Sequence, residues 1–229
     1  MKYFLIIPAA GIGRRFGERY PKQFYKVKGK ALLAYTLENF VNVSEIEKVV
    51  IATHKSYFDR IKRIVEQIHL NKEIHLVEGG QLRQDSVYNA FCQLNAVSGD
   101  RVIIHDAVRP FVPSDLLQRL MQASRRYNCV VPGVPVSDTL KKINKHNFVE
   151  RTLPRDFIRA IQTPQIFSYG ILSKSFGYLK KRFFVATDEA NIVETIGGKV
   201  MVIEGCLQNI KVTTKQDIHF IRLIMAHKI

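Results

Sequence analysis

Five consecutive apolar residues, Tyr3 to Ile7, stand near the start of the chain with no polar position among them. A short run of this kind predicts a strand buried on both faces, since a half-exposed strand would alternate. The signature returns at Ile46–Ala52, Ile74–Val77, Arg101–His105, Cys129–Val134 and Lys199–Glu204. Between the runs the period changes. Ala31–Val41, Tyr57–His69, Ser86–Ala96 and Asp115–Tyr127 place apolar residues three and four apart, as one helical face requires. Asp85-Ser86 is the expected cap of the third helix. Strands alternating with helices of this length predict an α/β fold, a largely parallel sheet covered on both faces. Right-handed crossovers then gather the loops that follow the strands along one edge, where ligands of such sheets bind.

The pattern breaks at Pro135. From there to about Ile161 the segments are extended, charged and loosely alternating around a turn at Asn144–Asn147. This predicts a β-hairpin arm at about 136–158 on a single domain of residues 1–229. Polar hairpins of this length suit packing on a second subunit. After it come an extended QTPQIF, helices near Ser168–Leu179 and Asp188–Thr195, and a short strand at Asn209–Thr213. A last helix runs from Lys215 to about Ala226.

Candidate chemistry begins where the first strand stops. Pro8-Ala9-Ala10 leads into Gly11-Ile12-Gly13-Arg14-Arg15-Phe16-Gly17, with Arg19 and Lys22 close behind. Glycines let the backbone turn and let a ligand approach peptide N–H groups, which cradle a phosphate when they follow a strand. Fixed cations in the same loop make a polyphosphate the simplest ligand. The dinucleotide fingerprint is excluded, because Phe16 stands at its third glycine and no acid closes a second strand. The P-loop is excluded too, since no Lys-Ser or Lys-Thr follows Gly17. An ordinary strand-to-helix turn stays open as the plain alternative.

Asp106, after the buried run that ends at His105, suits a hard cation such as Mg²⁺ beside phosphates; it equally suits a turn cap paired to Arg109. His105 reads as structural. Thr187-Asp188-Glu189 is either a helix cap with an acidic first turn or part of the same cleft. Asn209 and Lys211 reach the cleft or face solvent. Thr139, Lys141 and Arg155 on the arm offer a second anion site.

Composition narrows the surroundings. With 229 residues, 46% of them hydrophobic and 24% charged, the chain suits a globular protein with a full core. No apolar run reaches the ~18 residues of a membrane span. Lys2, a short apolar stretch and Pro8-Ala9-Ala10 imitate a leader peptide, but Arg-rich sequence follows at once, so a first strand of a cytoplasmic protein is expected. Cys92, Cys129 and Cys206 are odd in number and far apart, which offers no disulfide framework or CxxC metal site; all three read as small buried apolar residues. The net charge of +15 is unusual. Its cations are spread along the chain without an RNA- or DNA-binding motif, so an anion-binding cleft on a solvated basic surface is expected rather than nucleic acid.

The ordered series PAAGIGRRFG, PKQF, GG…R-x-DSV, HDAVRPF, PVSDTLKK, QTPQIF, TDEA and NIKVT resembles the 2-C-methyl-D-erythritol 4-phosphate cytidylyltransferase family of the non-mevalonate isoprenoid route. The resemblance runs from Pro8 to Thr213. Pentitol-phosphate cytidylyltransferases are related and are the alternative, but the opening loop and R-x-DSV resemble the erythritol enzymes more. The resemblance implies a Rossmann-like three-layer sandwich, a homodimer built through the arm, CTP as co-substrate and Mg²⁺. It implies that Pro8, Ala9, Ala10, Gly11, Gly13, Arg15 and Lys22 hold the nucleotide's phosphates, with Gly80, Gln81, Ser86 and Ala107 around the rest of it. It implies Asp106 as the metal-associated carboxylate. Arg109, Thr139, Arg155, Thr163 and Thr187 are implied at the polyol phosphate, and Arg15, Lys22 and Lys211 as the catalytic cations. Two positions depart from the pattern: Gln81 and Gln208 stand where acidic residues are common.

Overall fold

The computed structural model describes residues 1–11, 13, 16–17, 20–68, 72–182 and 184–227. Its strands are β1 (Tyr3–Pro8), β2 (Lys26–Val27), β3 (Lys30–Ala31), β4 (Ile46–Thr53), β5 (Glu73–Glu78), β6 (Arg101–Ile104) and β7 (Cys129–Pro135). β8 (Leu140–Ile143), β9 (Val149–Leu153), β10 (Arg159–Ile161), β11 (Gln165–Ser168) and β12 (Met201–Glu204) follow. The helices are α1 (Leu32–Glu38), α2 (Phe58–Gln67), α3 (Arg83–Phe91), α4 (Ser114–Ser124), α5 (Tyr169–Leu179), α6 (Glu189–Thr195) and α7 (Gln216–His227).

β1 lies inside the main sheet, parallel to both β4 and β6, and each of Tyr3 to Ile7 is buried. Its side chains divide by parity. Tyr3, Leu5 and Ile7 enter a core with Leu33 and Leu37 of α1, Ile61 of α2 and Leu116 of α4. Phe4 and Ile6 enter a second core with Val87 of α3, Leu172 of α5 and Ile192 of α6. The pleat therefore makes one strand serve two hydrophobic layers, which is why an uninterrupted apolar run was needed there. Each fully buried Leu or Ile contributes roughly 1.5–3 kcal/mol. A third cluster joins Phe16, Val108, Phe111 and Val212 to Ile218 and Ile221 of α7.

β4–β5 and β7–β12 are also parallel, while β10 and β11 run antiparallel to β7, and β11 to β6. The main sheet is thus a largely parallel one with helices on both faces, as expected. The arm is the hairpin β8–β9, with Asn147 at φ 65° in its turn, a conformation asparagine tolerates.

Several local expectations are corrected. α3 begins at Arg83, not Ser86. Asp85 accepts from Leu82 N–H at 3.0 Å and so does cap this helix, but from inside its first turn. The Ser86 hydroxyl instead accepts from Gly80 N–H at 3.0 Å. Residues 209–213 form no strand; side-chain bonds described below hold them as a loop. Of the cysteines only Cys129 is buried; Cys92 is exposed and Cys206 half-buried, because Cys92 follows the last turn of α3 on its outer side.

Candidate active site

The loops after β1, β5 and β6 meet at one edge of the sheet. Ala9 N–H donates to Ala52 O at 2.7 Å, and Ala9 O accepts from Gln23 Nε2 at 2.6 Å, which ties the first loop to the PKQF turn. Gly13 has φ +66°, and a Cβ there would stand 3.3 Å from Lys22 Cγ; a left-handed turn lies directly against the lysine stem. Lys22 Nζ donates to Val212 O at 2.9 Å. On the opposite wall a Cβ at Gly80 would lie 2.2 Å from Asp85 Cβ, so only glycine lets the loop fold onto α3.

These pieces enclose a cavity lined by Pro8, Ala9, Ala10, Gly11, Lys22 and Gln23 from the first loop. Gly80, Gln81, Arg83 and Ser86 form its second wall, and Asp106, Ala107 and Lys211 its floor. The residues assigned to nucleotide therefore converge, with two exceptions. Gly13 stands behind the lining, against Lys22, and Arg15 lies outside the described residues.

A second cavity adjoins the first. Arg109, Thr163, Gln165, Thr187 and Asp188 line it, and it shares Arg83, Asp106 and Lys211 with its neighbour. Three of the expected substrate contacts, Arg109, Thr163 and Thr187, thus lie together. Thr139 and Arg155 do not: both are exposed on the arm, where Arg155 Nη1 donates to Ser137 O, and neither lines either of these two cavities.

The shared wall is held by a chain of hydrogen bonds. Asp106 N–H donates to Thr163 Oγ1 at 3.1 Å, and Thr163 Oγ1 lies 2.9 Å from His105 Nδ1. His105 Nε2 lies 3.1 Å from Arg109 O. A carbonyl only accepts, so Nε2 carries the hydrogen, Nδ1 accepts, and the threonine hydroxyl donates to it. Burial lowers the His105 pKa to about 4 and keeps the ring neutral. Thr36 Oγ1 of α1 donates to Ala107 O, and Asn39 Nδ2, just past the end of α1, to Pro110 O, which fixes the turn from the outside. The 209–213 loop is pinned to the same turn by Val212 N–H to Val108 O, Arg109 Nη1 to Asn209 O and Asn209 Nδ2 to Thr163 O. That pinning delivers Lys211.

Charge is concentrated here. Lys211 Nζ stands 2.9 Å from Asp106 Oδ2, and Arg83 and Arg109 approach the same carboxylate at 3.4 Å. Burial works against the Asp106 charge, but Arg83, Lys211 and Arg109 outweigh it and hold the carboxyl well below its usual range. The pairing of Asp106 with Arg109 is present, and the same carboxylate lines the cleft. Among the described residues no three His, Cys, Asp or Glu side chains gather as a metal cage. An ion here would have one ionised carboxylate, which fits a Mg²⁺ that draws the rest of its shell from phosphate oxygens and water.

Arg83 and Glu189 had no assigned role in the sequence reading. Arg83 stands within the R-x-DSV motif, and Glu189 within the Thr187-Asp188-Glu189 run that read as a helix cap with an acidic first turn or as part of the cleft; the only signal available was their place in those motifs.

Two adjoining cavities that share Arg83, Asp106 and Lys211, at the loop edge of a largely parallel sheet and beside a glycine-rich loop, fit a nucleotidyltransferase. The profile described as "IspD: 2-C-methyl-D-erythritol 4-phosphate cytidylyltransferase" matches residues 3–227. The chain is 38% identical over 217 residues to the protein of that name from Bacillus mycoides (strain KBAB4), covering 94% of each. It is 36% identical over 229 residues to the one from Geobacillus thermodenitrificans (strain NG80-2), covering 100% of this chain and 99% of that protein. Its fold matches the crystal structure of 4-diphosphocytidyl-2C-methyl-D-erythritol synthase from Anaerococcus prevotii with TM-score 0.87 and 31% identity, covering 99% of this chain and 96% of that one. The chain belongs to the 2-C-methyl-D-erythritol 4-phosphate cytidylyltransferase family.

Proposed function

We propose that the chain transfers CMP from CTP to 2-C-methyl-D-erythritol 4-phosphate, releasing pyrophosphate and forming 4-diphosphocytidyl-2-C-methyl-D-erythritol. The observation that carries this reading is the wall common to the two cavities, Arg83, Asp106 and Lys211, where two phosphates would meet. The acceptor's phosphate has a second pKa near 6 and is largely a dianion at neutral pH. Its oxygen attacks the α-phosphorus of CTP in line, the bond to the β-phosphate breaks, and pyrophosphate leaves with the electron pair. No proton has to be removed first, so no general base is required. The obstacle is repulsion between two anions. Lys22, Lys211 and Arg83 offset it by placing fixed cations around the reacting phosphate, and the peptide groups of the first loop hold the leaving end. Arg15 belongs to the same set by its position in the loop. Mg²⁺ bound beside Asp106 would supply further neutralisation of phosphate oxygens.

Thr187 and Thr163 support the acceptor side, although the Thr163 hydroxyl is already committed to His105 and Asp106. Thr139 and Arg155 serve the acceptor of a second subunit, and the exposed apolar residues of the arm region, Phe148, Val149 and Phe157, suit burial in a homodimer. The enzyme works in the cytoplasm; no described helix is long and apolar enough to cross a membrane.

The test is pyrophosphate release from CTP, UTP, ATP and GTP, each offered with methylerythritol phosphate and with ribitol phosphate. Turnover is expected with CTP and methylerythritol phosphate alone. Preference for ribitol phosphate, or for another nucleotide, would overturn the assignment.

A further inference from the structure

Glu189 is the first residue of α6 and is fully buried, with 0% exposure. A carboxylate in that position is costly unless its charge is met. Among the described residues it is met by one group. Arg83 Nη1 lies 2.8 Å from one Glu189 oxygen and 2.6 Å from the other. The same guanidinium turns its Nε toward Asp106 Oδ1 at 3.4 Å. Arg83 begins α3, Glu189 begins α6, and Asp106 follows β6, so a single side chain crosses between three elements. Its side chain is 29% exposed, and Arg83 lines both cavities. Nη2 makes no hydrogen bond among the described residues and remains a donor at the junction.

An isolated surface arginine would give up considerable rotamer freedom to stay at such a place. Here a buried carboxylate fixes the guanidinium before any ligand arrives, as preorganised electrostatic stabilisation requires. Burial works against the Arg83 charge, but Glu189 and Asp106 outweigh it and hold its pKa above the ordinary value; burial also raises the Glu189 carboxyl against the pull of Arg83, and the contacts at 2.6 and 2.8 Å carry the pairing.

We infer that Glu189 is a positioning residue that anchors Arg83 in the wall between the two cavities, where Arg83 clamps oxygens of the reacting phosphates. This rests on the cytidylyl-transfer reading above. Asp106 cannot take over the anchoring: its carboxylate is shared with Lys211 and Arg109, and its contact to Arg83 is the longer one.

The experiment is steady-state kinetics with CTP and methylerythritol phosphate on wild type, Arg83→Gln, Glu189→Gln, Glu189→Asp and the double variant Arg83→Gln/Glu189→Gln. An inactive wild type would sink the functional reading and leave nothing to position. With an active wild type, Glu189→Gln is expected to lower kcat about tenfold or more, with KM for CTP changed less than about threefold, and Glu189→Asp to recover part of the loss. Arg83→Gln should lose at least as much, and the double variant no more than Arg83→Gln, because residues acting through one another are not additive. Losses that multiply in the double variant would overturn the inference. So would a Glu189→Gln enzyme with normal kcat. Should the Glu189 variants fail to fold, Arg83→Gln still decides, since unchanged turnover there removes the clamp.

Discussion

Thr163 shows how much one hydroxyl can hold. Its oxygen accepts from Asp106 N–H, and its hydrogen goes to the only free nitrogen of a buried, neutral His105. Through that histidine the bond reaches Arg109 O, so Asp106 of the shared wall and Arg109 of the second cavity are set by a third residue. Thr163→Val preserves shape but leaves an imidazole nitrogen and a peptide N–H buried without partners. A loss of about 1–3 kcal/mol is expected from denaturant unfolding, with a fall in turnover as the Asp106 turn loosens. Wild-type stability in this variant would mean that water or a neighbour replaces both bonds, and that the chain is not what holds the turn.

Among the elements, the loop joining β5 to α3 is closely constrained where it walls the first cavity. Gly80 N–H is held by Ser86 Oγ, Leu82 N–H by Asp85, and Asn89 Nδ2 reaches back to Glu78 O at 3.0 Å. The loop thus folds onto the first turn of its own helix, and any Cβ at Gly80 would collide with Asp85. Gly80→Ala is expected to push the loop outward, costing about 1–3 kcal/mol of stability as overpacking does and weakening CTP about tenfold or more. Calorimetric titration with CTP checks this. Undiminished affinity would place the base elsewhere in the cleft. Because Arg83 starts this same helix, the displacement should also reach the shared wall, which Glu189 would resist.

For the whole molecule, the arm and the charge matter most. Phe157, beside β10, is 95% exposed and Phe148, in the arm's turn, is 72% exposed, amounts of apolar surface that suit a partner better than water. Arg155 on the same arm lines neither of the two cavities described above. With the arm reaching a second subunit, Arg155→Ala should raise KM for the polyol phosphate about tenfold, as loss of one charge-assisted contact does, and leave KM for CTP nearly unchanged. Mixing this variant with Lys22→Ala protein should restore part of the activity, since a mixed dimer carries one intact site. No recovery on mixing would argue that the arm does not act across subunits. The +15 net charge favours capture of two phosphate-bearing substrates by the same field.

Patterning along the chain was enough for the sheet. Buried runs and amphipathic periods depend on nearest neighbours and on which faces lose water, and both are written locally; β1, β4 and α2 came out within a few residues of expectation. Glycine-rich loops and the motif series likewise identified most of the lining of the first cavity. What only folding decided lies where distant segments meet. Residues 209–213 read as a strand, yet Asn209, Arg109 and Val108 pin them as a loop, and that alone brings Lys211 to Asp106 from 105 positions away. Sequence left Glu189 open between a first-turn acid and a place in the cleft, and only the approach of α3 and α6 buries it against Arg83. Local pattern encodes which residues leave water. Which charges find each other afterwards depends on how the packed layers align, and no window of sequence contains that.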